Sequence, residues 1–115
     1  MGITIKLVNI EEGYPSIPQA ISRLAQEVRT AQLGKVSLLK VIHGYGSSGV
    51  GGDLRIALQA ALQQMLHRDE IRACIYGENW RRSDTTTWEL VKRFPALKND
   101  RDFGRGNRGI TIVVL

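Results

Sequence analysis

Several residue types that would narrow the class of this 115-residue chain at once are scarce. It contains one cysteine, Cys74, so no internal disulfide can form, and this usage is typical of proteins in a reducing compartment. No apolar run is long enough to span a bilayer, and no secretory signal is recognisable. We therefore expect a cytoplasmic protein with no membrane partner.

Side chains that build metal sites are scarce too. The chain has two histidines besides its single cysteine, and no His, Cys or Asp spacing is typical of a zinc site. We expect no metal site built by the protein. If the chain is a nuclease, the expected cofactor is a divalent cation held mainly by phosphate and water.

What the sequence does contain is an ordinary globular composition with excess positive charge. It is 43% hydrophobic and 23% charged, at a length that suits one domain spanning residues 1–115. The net charge is +5, and the segment from Arg81 to Arg108 carries eight basic and four acidic residues, a net +4. This segment is either a solvated surface of mixed charge or an arm that faces a polyanion such as nucleic acid.

Hydrophobic periodicity predicts the element order β-α-β-α-β-(α)-β. Alternation of apolar and polar residues indicates strands, and three- and four-residue apolar spacing indicates helices, the first with Ser16 as its N-cap. Such an order predicts an α/β fold, a single two-layer sandwich with a mixed, mainly parallel four-stranded sheet and the last strand paired within it. The predicted elements are strands 3–8, 36–42, 71–76 and 109–115, helices 17–31 and 53–65, and a short helix from Asp84 or Thr85 that stops before Pro95.

A glycine-dense turn, His43 to Arg55, joins the second strand to the second helix. Five of the 12 glycines fall between positions 44 and 52. The N–H groups of such a turn converge at a helix N-terminus, where they can hold an anion. Arg55 either pairs with the same phosphate or forms a surface ion pair. His43 either acts as a general acid or base or shapes the loop structurally.

The same turn matches a dinucleotide-binding pattern only in part. Gly44 to Gly49 reads G-x-G-x-x-G between a strand and a helix. That fingerprint pairs with an acidic residue about 20 positions on, at the end of the next strand, whereas Glu78 lies beyond the third strand. No Lys-Ser/Thr pair follows the glycines, as a P-loop requires. A nucleotide-binding domain is therefore the weaker alternative.

Three segments resemble the Smr (small MutS-related) domain family. His43-Gly44-Tyr45-Gly46, with Leu54-Arg55 beyond it, is similar to the family's His-Gly-x-Gly turn and Leu-Arg helix start. Gly106 to Leu115 resembles its terminal Gly-Gly-x-Gly-Ala-Thr strand, and Gln19 to Leu33 matches its first helix. The resemblance covers most of the chain except about residues 77–105, which look like a basic insertion. It implies binding of branched or structured DNA or RNA, with nicking by some members.

One departure from the family pattern bears on catalysis. The family opens with Leu-Asp-x-His-Gly at the end of the first strand, where this chain has Lys6 and Val8 at the acid and histidine positions. His43 then lacks those partners, so the resemblance implies binding first and endonuclease activity second. The predicted catalytic residue is His43, and the predicted nucleic-acid-binding residues are Gly44, Tyr45, Gly46, Gly49, Gly51, Arg55, Arg81, Arg82, Arg105 and Arg108.

Two tryptophans, Trp80 and Trp88, flank Arg81 and Arg82 in the basic segment. Aromatic rings between arginines can stack on unpaired bases. Trp88 lies on the apolar face of the short helix, so we expect it instead to anchor the segment by burial. The competing function is a non-enzymatic protein-interaction or dimerisation module. It is supported by the aromatic residues of the basic segment and by the uncharged, β-prone last strand. Under this alternative a homodimer is expected.

Overall fold

The computed structural model describes residues 4–44 and 51–115. The order of helices and strands agrees with the predicted order. The bounds are β1 (Ile5–Asn9), α1 (Ile17–Leu33), β2 (Leu38–Ile42), α2 (Gly51–His67), β3 (Ala73–Tyr76), α3 (Thr85–Arg93) and β4 (Ile110–Val114), with short 3-10 helices at Gly77–Asn79 and Pro95–Asn99. The predicted α/β class is confirmed.

Local signals account for where the helices begin. Ser16 Oγ accepts the N–H of Gln19 at 3.3 Å, and Gln19 Oε1 accepts the N–H of Ser16 at 2.9 Å, so both form a capping box for α1. Asp84 caps α3 in the same sense, because its carboxylate accepts the N–H of Thr87 at 3.0 Å. The predicted Ser16 cap is confirmed, and α3 begins at Thr85, one of its two predicted starts.

The sheet is mixed and four-stranded, as predicted, in the order β1-β2-β4-β3. Strands β1, β2 and β3 run in one direction and β4 runs against them. Because β4 lies between β2 and β3, β1–β2 is the parallel pairing among the described strands, while β2–β4 and β3–β4 are antiparallel. The expectation of a mainly parallel sheet is therefore wrong for the pairings, because the insertion of β4 between β2 and β3 makes two of the three antiparallel, although three of the four strands share one direction.

Each face of the sheet has its own apolar cluster. Helices α1 and α2 cover one face, burying Leu24 and Leu58 against Val41 and Val113. The other face packs against residues 77–109, which add a partial layer to the two-layer sandwich. The second cluster comprises Leu38, Ile75, Trp80, Leu90, Val91, Leu97, Ile110 and Ile112.

Trp80, not Trp88, anchors the basic segment to the sheet. Trp80 is fully buried, meets the Phe103 ring edge-on at a centroid distance of 5.3 Å, and donates its Nε1–H to Asp100 at 3.0 Å. The expectation that Trp88 is the buried anchor is wrong: α3 buries Thr87, Leu90 and Val91, and Trp88 is 37% exposed beside that stripe. A one-residue offset along a short helix turns the ring outward.

A buried lysine ties the same segment to the central part of the sheet. Lys40 of β2 is buried, and its Nζ lies 3.0 Å from Asp100 Oδ1 and also pairs with Asp102. Asp102 in turn accepts the side-chain N–H of Asn107 at 2.9 Å. The carboxylates of Asp100 and Asp102 therefore compensate the charge of the Lys40 ammonium, which β2 buries beneath residues 77–109.

No helix within residues 4–44 and 51–115 combines the length and apolarity needed to cross a bilayer.

Candidate functional site

His43 and Gly44, which follow β2, and Gly51, which begins α2, lie at one end of the sheet. The carboxyl ends of β1, β2 and β3 meet there beside the amino end of β4, as the pairings Asn9–Ile42, Ile42–Ile110 and Tyr76–Thr111 show. Helix α2 begins at this end, after β2. The carboxyl ends of parallel strands are where α/β sheets commonly bind ligands. We call this region the sheet end.

His43 is enclosed at the sheet end. Its side chain is 1% exposed; Nδ1 lies 2.6 Å from the Gly44 carbonyl oxygen, and Nε2 lies 2.9 Å from Thr111 Oγ1. Because a carbonyl oxygen only accepts, Nδ1 carries the proton, and Nε2 accepts from the Thr111 hydroxyl. Burial above all, with Arg55 adding to it, lowers the pKa of His43, although the Gly44 hydrogen bond opposes this. The neutral ring fastens β2 to β4.

The backbone N–H of Gly44 is hydrogen-bonded within the protein. The N–H groups of His43 and Gly44 both donate to the Gly109 carbonyl oxygen, at 2.9 and 3.1 Å. Gly44 has a φ of +71°, and a Cβ added there would lie 2.5 Å from Glu11 Oε2. The backbone conformation therefore favours glycine at position 44, whereas the exposed Glu11 side chain can move away from an added Cβ. Tyr45, Gly46 and Gly49 lie outside the described residues, and Gly51 begins α2.

Arg55 faces a carboxylate at the sheet end. Its Nη1 lies 3.7 Å from Glu78 Oε2, and both side chains are half-buried. Within the described part of the chain, neither Arg55 Nε nor Glu78 Oε1 has a hydrogen-bond partner, although both atoms are buried. The ion-pair alternative for Arg55 is therefore what the geometry shows. A guanidinium has five N–H donors, so one long contact to Glu78 leaves donors to spare.

The four predicted arginines of the basic segment are exposed, and three of them adjoin residues that make backbone contacts between this segment and its surroundings. Arg108 precedes Gly109, whose carbonyl holds His43 and Gly44. The Gly104 N–H donates to the Trp80 carbonyl oxygen at 2.8 Å, so Arg81 and Arg105 follow two residues in direct contact. Arg82 instead lies over the Trp88 ring, with its Cζ 5.7 Å from the ring centroid.

Two carboxylates at this site were not among the predicted site residues. Glu11 lies against Gly44, and Glu78 pairs with Arg55; both carboxylates act to raise the pKa of His43, though less than burial lowers it. The family pattern directs attention to Lys6 and Val8, but Lys6 pairs with Glu27 of α1 at 3.0 Å. A carboxylate three residues beyond Val8 was the available signal.

Among residues 4–44 and 51–115, no group of three or more His, Cys, Asp and Glu side chains is arranged to hold a metal ion.

The mixed four-stranded sheet, with two helices on one face, defines a small α/β domain of the Smr fold. A solved structure with this fold is the crystal structure of the Smr domain of Thermus thermophilus MutS2. The two chains match over 96% of each length, with a TM-score of 0.53 and 19% sequence identity. The predicted Smr resemblance is confirmed for the fold. No family model and no curated protein matches the sequence.

Proposed function

We propose that this chain binds structured or branched DNA or RNA at the sheet end. The proposal is supported by two backbone contacts, Gly109 with Gly44 and Gly104 with Trp80, because Arg81, Arg105 and Arg108 each adjoin one of these contact residues in the chain. All three are exposed, and none of the ion pairs within the described ranges involves them. The Smr fold is consistent with this role.

The charges favour contacts to phosphate over contacts to bases. Arginine presents planar, bidentate donors that match phosphate oxygens, and an N-terminus such as that of α2 adds a modest attraction for anions. These three arginines lie on irregular segments, not on a helix that could enter a groove of the nucleic acid. Binding is therefore expected to depend on salt and to vary little with sequence.

Neutralising the three arginines tests the proposal. The triple variant Arg81→Gln, Arg105→Gln and Arg108→Gln is expected to bind a branched DNA more weakly. The slope of log K against log salt should flatten by up to about 0.9 for each phosphate of the duplex arms that the variant no longer neutralises. Fluorescence anisotropy between low and moderate salt measures both quantities.

A control triple removes equal charge elsewhere. Arg29, Arg68 and Arg72 are exposed near the opposite end of the sheet, where α1 and α2 end and β3 begins. Their change to glutamine should leave the salt slope nearly unchanged. Equal slopes for wild type and the first triple would place the nucleic acid elsewhere, and no binding by wild type at low salt would refute the function.

The proposal does not extend to strand cleavage. A general acid or base must reach the proton that it moves, whereas both ring nitrogens of His43 are hydrogen-bonded inside the protein. The catalytic role of His43 stays a prediction from the sequence.

A second candidate, self-association, is favoured by the open edge at β1. The sequence suggested dimerisation through β4, but β4 is a central strand with both edges paired. Strand β1 is a sheet edge whose outer face exposes Leu7, at 62%, and Ile5. They border a groove of about 690 Å³ beside residues 100–102. Edge strands with apolar faces are ready templates for pairing with another copy.

Sedimentation velocity tests this candidate. A wild-type dimer should become monomeric on Leu7→Lys, because a charge on the apolar edge opposes pairing. Leu33→Lys, on the exposed end of α1, is the control and should not change the mass. A monomeric wild type at high concentration would dismiss the candidate.

A further inference from the structure

Trp88 and Arg82 form a partly exposed aromatic–cation pair, and Trp88 belongs to neither apolar cluster of the fold. The Trp88 ring is 37% exposed, and the Arg82 guanidinium carbon lies 5.7 Å from the ring centroid. The anchoring of the segment falls to Trp80, and that of α3 to Thr87, Leu90 and Val91. An exposed tryptophan is therefore available for another contact.

The pair lies next to the sheet end. Thr87, beside Trp88 in the first turn of α3, donates its hydroxyl to the Asn79 carbonyl oxygen at 2.6 Å. Asn79 belongs to the 3-10 helix that also holds Glu78, the partner of Arg55. The Thr87–Asn79 contact therefore joins the start of α3 to the 3-10 helix that follows β3.

The surroundings of the ring are mainly basic. Arg81 precedes Arg82, and Lys92 follows Trp88 by one turn of α3, both exposed. The opposing charges are Glu89, which is exposed, and Asp84, whose carboxylate is engaged in capping α3. The ring thus has a π face for a base and cations beside it for the adjoining phosphates.

We propose that Trp88 and Arg82 form a stacking platform for an unpaired nucleobase, so that the preferred substrate carries a single-stranded segment. This inference rests on the proposed function and deepens it. Base stacking on an aromatic side chain tolerates any base, which agrees with binding that varies little with sequence.

The test compares three probes with the intact protein: a 12-nucleotide oligothymidylate, the same backbone with abasic sites, and a 12-base-pair duplex. Wild type should bind the oligothymidylate about tenfold more tightly than the abasic strand, the ratio that one stacked base supplies. Trp88→Ala should lose that ratio, and Trp88→Phe should restore much of it. Tryptophan emission should fall on binding, because Trp80 is buried and Trp88 is the ring that a base can reach.

Controls separate the possible outcomes. Leu33→Ala removes another exposed apolar side chain, at the far end of α1, and should leave the ratio unchanged. Equal wild-type affinity for oligothymidylate and abasic strand, with no quenching, would overturn the platform while leaving the proposed function standing. Absence of wild-type binding at low salt to all three probes and to the branched DNA would overturn both.

Discussion

Replacing Gly77 with alanine is expected to lower the free energy of unfolding by about 3 kcal/mol, the upper range for overpacking a close contact. A Cβ at Gly77 would overlap the Asn107 backbone carbonyl oxygen and lie 2.8 Å from that of Ile110. Both obstacles are backbone atoms, so no rotamer change can relieve the clash. Urea denaturation followed by far-UV circular dichroism measures the loss.

Gly52 supplies the matched control for this substitution. It lies in the first turn of α2, with open space where a Cβ would be. Gly52→Ala should therefore be neutral or stabilise the protein by roughly 0.5 kcal/mol, since alanine favours the helix. If Gly77→Ala proved as stable as wild type, the backbone of Asn107 and Ile110 would not lie against Gly77.

Lys40→Met is expected to cost about 3 kcal/mol at neutral pH, the scale for breaking a buried ion pair from one side. The substitution leaves Asp100 and Asp102 of the basic segment without their cation. Lys6→Met is the matched control, because the Lys6–Glu27 pair is more exposed and such pairs contribute below about 1 kcal/mol. Equal losses in the two variants would contradict a buried network.

Acid should narrow the difference between wild type and Lys40→Met. Partial burial raises the pKa of Asp102, but hydrogen bonds from Lys40 and Asn107 outweigh it, so the net pKa lies below the ordinary 3.8. A depressed carboxyl pKa adds stability above the ordinary value and loses it as the pH falls through the folded value. Without Lys40 that contribution shrinks, so urea titrations at pH 7 and below pH 4 should show converging stabilities.

Periodicity in the sequence predicts the elements because it reports which side of each one is buried. Ser16 and Asp84 add the helix starts, since a side-chain oxygen at those positions satisfies free N–H groups. Neighbour relations are different: the apolar residues of β4 indicate burial on both faces but not which strands flank it. The place of β4 between β2 and β3 therefore needed the structure.

The candidate site was predictable in its residue types and not in its contacts. The sequence marked Arg55 and His43, but Glu78 lies 23 positions beyond Arg55 and reaches it only through the fold. Trp80 and Trp88 show the same limit, because both adjoin arginines and only packing decides which ring is covered. Lys40 lies among apolar residues in β2, and its acidic partners come 60 and 62 residues later in the chain, so the sequence does not pair them.

The central position of β4 also constrains how the chain reaches its native state. Strand β4 pairs with β2 across 68 to 76 residues of chain, so this closure is entropically costly and slow compared with local contacts. Until β4 leaves the ribosome, β1 and β2 can form a parallel ribbon, but β3 lacks both the neighbour it hydrogen-bonds and its link to that ribbon. In a nascent chain paused before residue 110, the edge of β2 that later pairs with β4 is therefore unpaired and exposed. That interval is when chaperone capture and aggregation compete with folding.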